Sequence, residues 1–147
     1  MTSWPEPEPG LVIRYAYLWR REQDSGREEG AKDRPCAIVL ALAGQEGDRP
    51  RMVVLAVTHT PPQPPTEGVE LPAAAKRRLG LDEERSWVIV SEANVFLWPG
   101  PDLRFLPGQG PESAACGLLP PDVFRVVRDR FLAGLRARRT AIVPRTK

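Results

Sequence analysis

The side chains best able to hold an anion or move a proton stand at the ends of strand-like runs. Arg34 opens "RPCAIVLAL"; Thr58, His59 and Thr60 close "RMVVLAVTHT"; Glu92 and Asn94 lie two apart in "SEANVFLWPGPDLR", just after the β-prone "SWVIV". A guanidinium is a planar fork that matches phosphate. Hydroxyls and an amide add neutral hydrogen-bonding groups, and a carboxylate or imidazole within reach can shuttle a proton. Together these are parts for binding or cutting a phosphodiester without a metal ion. The residues expected to do chemistry are Arg34, Thr58, His59 and Glu92. Arg14, Lys32, Thr60, Asn94 and Trp98 are expected to touch substrate.

Each of these residues also has a structural reading. Arg34 can pair with Asp33 or Glu29 in a charged loop, and His59 can be a surface histidine before a proline-rich loop. Thr58 suits a strand for its own sake. Phe96 and Trp98 fit a core better than a base-stacking platform. In a single strand running from residue 84 to 96, Glu92 and Asn94 share a face with Val88, Val90, Phe96 and Trp98. A carboxylate on such a face needs a partner, so Glu92 is expected to pair with Arg14 or Arg34 inside a groove. The Trp-Pro-Gly-Pro corner then fixes how the strand leaves it.

Several other chemistries lack their residues. There is one histidine, and there are two cysteines far apart. The chain has no Cys-x-x-Cys, no His-x-x-x-His, no Gly-x-Gly-x-x-Gly, no phosphate loop and no serine in a nucleophile elbow. No metal or cofactor is expected. Cys36 and Cys116 are expected to be reduced, and without a leader or a spanning apolar run the chain is expected to be soluble and cytoplasmic.

The elements that must position these residues follow from periodicity. At 147 residues, 41% hydrophobic and 27% charged, the chain suits one globular domain. A formal charge of +2 gives no global basic field, although Arg is concentrated after Arg125. Residues 1–9 read as a loose arm broken by Pro5, Pro7 and Pro9. "GLVIRYAYLW" alternates as a half-buried strand, and 20–34 is charged and reads as a long exposed loop. "PCAIVLALA" suits a strand buried on both faces, and "RMVVLAVTHT" is a third strand. A short strand at "VEL" precedes a short helix over 72–81, with Pro72 in its first turn and Gly80 at its end. Val123, Phe124, Val127, Phe131 and Leu135 form the apolar stripe of a closing helix, and 140–147 reads as a tail. Strands joined by short turns predict a mainly β, α+β domain: a small, bent antiparallel barrel with a short helix and a C-terminal amphipathic helix.

Four stretches, in this order, resemble the MazF/PemK growth-inhibitor family: "GLVIRYAYLW", "KDRPCAIVLAL", "VVLAVTHT", and "GLDEERSWVIVSEANVF" followed by "CGLLPPDVFRVVRDRFL". The resemblance covers roughly residues 10–135, and "EANVFLWPGPDLR" is similar to a divergent PemK-like subgroup. It implies an SH3-like barrel, a homodimer, metal-independent cleavage of single-stranded RNA, and an antitoxin chain that silences it. By position, the family's phosphate-contacting Arg and Thr fall on Arg34 and on Thr58 or Thr60. Where other members place an Arg and an Asp on the later strand, this chain has Asn94 and, approximately, Leu97. Proton transfer then falls to Glu92 and His59, or the branch is an inactive barrel that binds a protein or peptide.

Overall fold

The computed structural model describes residues 4–26, 33–44 and 49–145. Its strands are β1 (Leu11–Tyr15), β2 (Arg34–Leu42), β3 (Arg51–Thr58), β4 (Gly68–Glu70), β5 (Trp87–Ile89), β6 (Glu92–Leu97), β7 (Ala115–Leu118) and β8 (Ala141–Pro144). Its α-helices are α1 (Arg20–Asp24), α2 (Ala73–Arg78) and α3 (Pro121–Arg136). The strands form one sheet in the order β4-β5-β3-β2-β1-β7, with β6 also beside β3 and β8 beside β6. Every pairing is antiparallel except β6 with β8. The architecture is therefore a mainly antiparallel sheet with helices. Among the described residues β4 and β7 stay apart as the ends of the strand order, so the sheet does not close into a barrel.

The sheet is apolar on both faces because its central strands carry no polar alternation. Val12, Ala37, Val39, Val53, Leu55 and Val57 face the helices, where Ala75 and Leu79 of α2 and Val123, Val127 and Phe131 of α3 cover them. Ile13, Tyr15, Cys36, Ile38, Met52, Val54 and Ala56 face the other way, into an aromatic layer of Tyr17, Trp19, Trp87, Phe96 and Trp98. Burying Phe131 or Val127 completely is worth about 1.5–3 kcal/mol each. β2 and β3 slip register between Ile38 and Leu40, a bulge that adds twist and curvature. Cys36 is buried, Cys116 is half-buried, and both are free thiols.

Three expectations change. The single strand over 84–96 is two strands, β5 and β6, separated at Val90 and Ser91. One residue too many at that kink reverses the alternation. Val88 and Val90 go to the helix side with Ala93, while Trp87, Ile89, Phe96 and Trp98 go to the aromatic side. Second, the loop expected over 20–34 begins with α1, which starts on Trp19, whose N–H donates to Glu22 Oε1 at 3.1 Å. Third, the expected tail of 140–147 contains β8. It is locked by a buried ion pair between Arg145 Nη2 and Asp102 Oδ2 at 2.9 Å. Residues 4–9 form neither helix nor strand, and Trp4 packs edge-on against Phe105. No helix among the described residues is long and apolar enough to cross a membrane.

Candidate functional site

The antiparallel pairing of β2 with β3 brings the first residue of β2 beside the last residues of β3. Arg34 thereby meets the end of β3, and its Nη1 donates a long 3.5 Å hydrogen bond to the Val57 carbonyl. Its Nε is buried and has no hydrogen-bond partner among the described residues. Asp33, one structural alternative for its partner, pairs instead with Arg104 at 3.3 Å. Lys32 and Glu29 lie outside the described residues.

The flat wall beneath Arg34 is the Trp19 ring. The guanidinium carbons of Arg34 and Arg21 lie 5.2 and 5.1 Å from its centroid. Both distances suit cation–π attraction, and both charges are held next to an apolar surface. Trp19 itself is placed by Asn94. The Asn94 amide accepts from Leu18 N–H at 2.9 Å and donates to the Leu18 carbonyl at 2.8 Å. Asn94 thus copies a strand edge, satisfying both backbone groups of the residue before Trp19.

Around these residues runs a groove of about 490 Å³, walled by Trp19, Arg21, Arg34, Thr58, His59, Thr60 and Asp82 among others. A second hollow of about 260 Å³ shares Trp19, Arg21, Thr58 and Thr60 with it and ends at Glu92. Sharing these residues, the two hollows adjoin as a trough in two parts across the ends of β2, β3 and β6. Thr58 is opposite Trp87 in the sheet, and its Oγ1 accepts from Thr60 N–H at 3.1 Å, which turns the chain so that His59 and Thr60 stand at the rim.

On one bank of the trough, His59 Nε2 lies 2.9 Å from Asp82 Oδ2, and Nδ1 lies 3.7 Å from Glu84 Oε2. Asp82 is fixed from behind by Lys76, whose ammonium is 2.8 Å from Oδ1 and also donates to the Glu84 carbonyl. The Glu84 N–H donates to the same carboxylate at 3.1 Å. Lys76 is only 4% exposed. Its hydrogen bond, helped by that of His59, holds the Asp82 carboxyl below the usual range against the opposing cost of desolvation. The ligand atoms of His59, Asp82 and Glu84 lie within 4.8 Å of one another. The cation this cluster already holds is the Lys76 ammonium.

At the other end, Glu92 Oε2 accepts from Tyr17 Oη at 3.1 Å and from Arg20 N–H at 2.8 Å. Burial pushes its carboxyl up from the ordinary glutamate range. These two hydrogen bonds and the charges of Arg21 and Arg20 pull the other way without cancelling the effect. Burial raises the Tyr17 phenol as well, with the Glu92 charge adding to it.

Arg34, Thr58, His59 and Thr60 therefore line one groove, and Glu92 lines the hollow beside it. Four other expectations are corrected. Asn94 is fully buried and spends its amide on Leu18, so it positions the wall and does not reach a ligand. Trp98 is buried in the aromatic layer against Phe96, at 6.0 Å between centroids. Arg14 points to the opposite edge of β1, where Nη1 donates to the Ser113 carbonyl at 2.9 Å and approaches Cys116 Sγ at 3.2 Å. The expected ion pair of Glu92 with Arg14 or Arg34 is replaced by the Tyr17 and Arg20 contacts, because the shift of face at residues 90–91 aims Glu92 at the chain leaving β1.

Trp19, Asp82 and Lys76 were missed by sequence reasoning. In the sequence Trp19 is one more apolar residue of a strand-like run. Lys76 looks like part of a solvated "AAAKRR" face, yet it shares a helix face with Ala75 and Leu79, which marks it as inward. Asp82 carried no signal beyond lying in an acidic turn. No family model matches the chain, and no curated protein matches it.

Proposed function

We propose that the trough binds single-stranded RNA along its phosphate backbone and cleaves it without a metal ion, on a sheet that is an opened SH3-like barrel. The observation that carries this reading is Arg34: a guanidinium stacked on Trp19, with a buried unpartnered Nε and one long hydrogen bond, at the floor of a trough with hydroxyls on its rim. Its unspent N–H groups match phosphate. Arg21, on the same ring, supplies a second positive charge for the adjacent phosphate, and Thr58 and Thr60 donate to non-bridging oxygens.

In this reading the 2′-oxygen attacks the adjacent phosphorus as His59 takes its proton. Arg34 stabilises the charge that develops on the phosphoryl oxygens. The P–O5′ bond breaks, and Glu92, which burial keeps protonated to higher pH than an ordinary glutamate, returns a proton to the leaving 5′-oxygen. The products are a 2′,3′-cyclic phosphate and a 5′-hydroxyl. The growth-inhibitor reading carries an antitoxin chain, a homodimer and a cytoplasmic setting with it.

Fluorescence anisotropy with a labelled single-stranded RNA, repeated across a salt series, tests the binding. Arg34→Ala should weaken affinity at least about tenfold, since hydrogen bonds to charged groups are worth about 1.5–3 kcal/mol. It should also flatten the slope of log affinity against log salt by about 0.7, the contribution of one single-strand phosphate. Incubating a mixed RNA pool with excess EDTA tests cleavage. RNA that stays unbound at low salt, or an Arg34→Ala variant that binds with unchanged salt slope, would refute the reading.

A further inference from the structure

We propose that His59 is presented to the trough as a fixed tautomer, Nε2–H toward Asp82 and Nδ1 bare, and that buried Lys76 is the positioning residue that enforces it. The inference rests on the RNA-cleavage reading for its consequence but not for its geometry.

An ionised carboxylate can only accept hydrogen bonds. Asp82 is kept ionised by the ammonium at 2.8 Å, so the ring nitrogen 2.9 Å from Oδ2 must carry the hydrogen. In a neutral ring the other nitrogen, Nδ1, is then an acceptor. The nearest carboxylate oxygen to it, on Glu84, is 3.7 Å away, too far to hold Nδ1 as an N–H donor. Nδ1 is left as the lone pair that can take a proton from a ribose hydroxyl in the trough. The base thus sits in a base-plus-orienting-carboxylate arrangement of the kind that recurs on unrelated folds.

Lys76 explains why an Asp at half exposure can do this. An exposed carboxylate on a turn samples several rotamers, and its bond to a surface imidazole is weak. Here Oδ1 is pinned by a buried ammonium and by the Glu84 N–H, which holds the carboxylate with both oxygens toward the ring, Oδ2 at 2.9 Å and Oδ1 at 3.1 Å from Nε2. The ammonium is itself fixed by the Glu84 carbonyl, and the lysine is buried on the helix face that carries Ala75 and Leu79. Burying a lysine is costly unless it is paired. Stability alone would be served by Met or Leu at this position, so the cation is explained by what it holds. Besides Asp82 and Glu84, the charged groups around His59 in the groove are Arg21, Glu22, Asp33 and Arg34.

His59 is the only histidine in the chain, so nitrogen-15 NMR of the imidazole reads it without ambiguity. The whole protein is compared with Lys76→Met, which keeps the buried volume, and with Asp82→Asn, whose exposed site leaves folding intact. The wild-type neutral ring should show the Nε2–H tautomer alone, and both variants should show averaged, mixed-tautomer shifts. An unchanged tautomer in both variants overturns the proposal, whatever the protein does to RNA. With the RNA arm added, single-turnover cleavage should fall at least about 100-fold in Asp82→Asn, the scale of general-base catalysis, while RNA affinity stays within about twofold. A wild-type ring that is fixed as expected in a protein that binds no RNA would leave the positioning network standing and sink the RNA reading alone. Zinc chloride is the third arm: a ring resonance that shifts at micromolar zinc would mean that the cluster is a metal site and would overturn the base assignment.

Discussion

Asn94→Ala tests whether the buried amide or the visible trough residues organise the site. The wild-type side chain is fully buried and makes two hydrogen bonds, at 2.9 and 2.8 Å, to the N–H and C=O of Leu18. Alanine removes both partners at once. Each buried backbone group left unpaired costs about 1–3 kcal/mol, so the pair predicts a loss of about 2–6 kcal/mol. That is a large share of the roughly 5–15 kcal/mol that holds a domain together. Urea unfolding followed by tryptophan fluorescence gives the difference directly, provided the m-value is unchanged. Asn94→Asp sharpens the test. Its carboxylate can still accept from Leu18 N–H but faces the Leu18 carbonyl with no hydrogen to give. Only the protonated acid can donate there, so the folded state should bind that proton more tightly than the unfolded chain. Stability of this variant should therefore rise as pH falls toward about 4, opposite to the loss an ion-paired carboxylate shows. A loss below about 1 kcal/mol for Asn94→Ala, or an Asn94→Asp variant that weakens on acidification, would refute the view that Asn94 substitutes for a strand edge.

Two further outcomes follow from buried charge. The Glu92 carboxyl is raised in the folded state, so folding binds protons between the ordinary glutamate range and the raised value, and wild-type stability should decline as pH rises through that window. Glu92→Gln should remove this slope, seen as urea midpoints of the two proteins that converge or cross as pH rises above the ordinary glutamate range; parallel curves would mean that the carboxyl titrates normally. Arg145→Met breaks an ion pair whose side chains are 4% and 13% exposed, strands Asp102 and should cost about 3–5 kcal/mol by denaturant unfolding. Replacing both partners with apolar residues should recover most of that loss.

Much of the architecture was legible because the apolar patterns were unambiguous. β1, β2, β3 and the stripe of α3 follow directly from periods of two and 3.6 residues. The trough was legible in part. Arg34, Thr58, His59 and Thr60 stand at strand ends, and antiparallel pairing must bring such ends together. The misplacements on β6 share one cause, an irregularity of a single residue. The step at Val90 and Ser91 leaves "SWVIVSEANVF" looking like one strand in sequence while it exchanges the two faces in space. Every inference carried across it, from the partner of Glu92 to the accessibility of Asn94, was displaced. β8 was hidden for a different reason: a four-residue strand flanked by arginines has too few apolar residues to show a period, and a partner far back in the chain supplies its pairing.

That late partner has a consequence for biosynthesis. β6 emerges from the ribosome well before residues 141–144, and until they arrive one of its edges has only solvent to bond with. A nascent chain stalled after α3 would expose the bare backbone of "EANVFL" beside an unfinished aromatic layer, an invitation to intermolecular pairing. The clasp of Arg145 on Asp102 secures β8 against that edge and so keeps it covered.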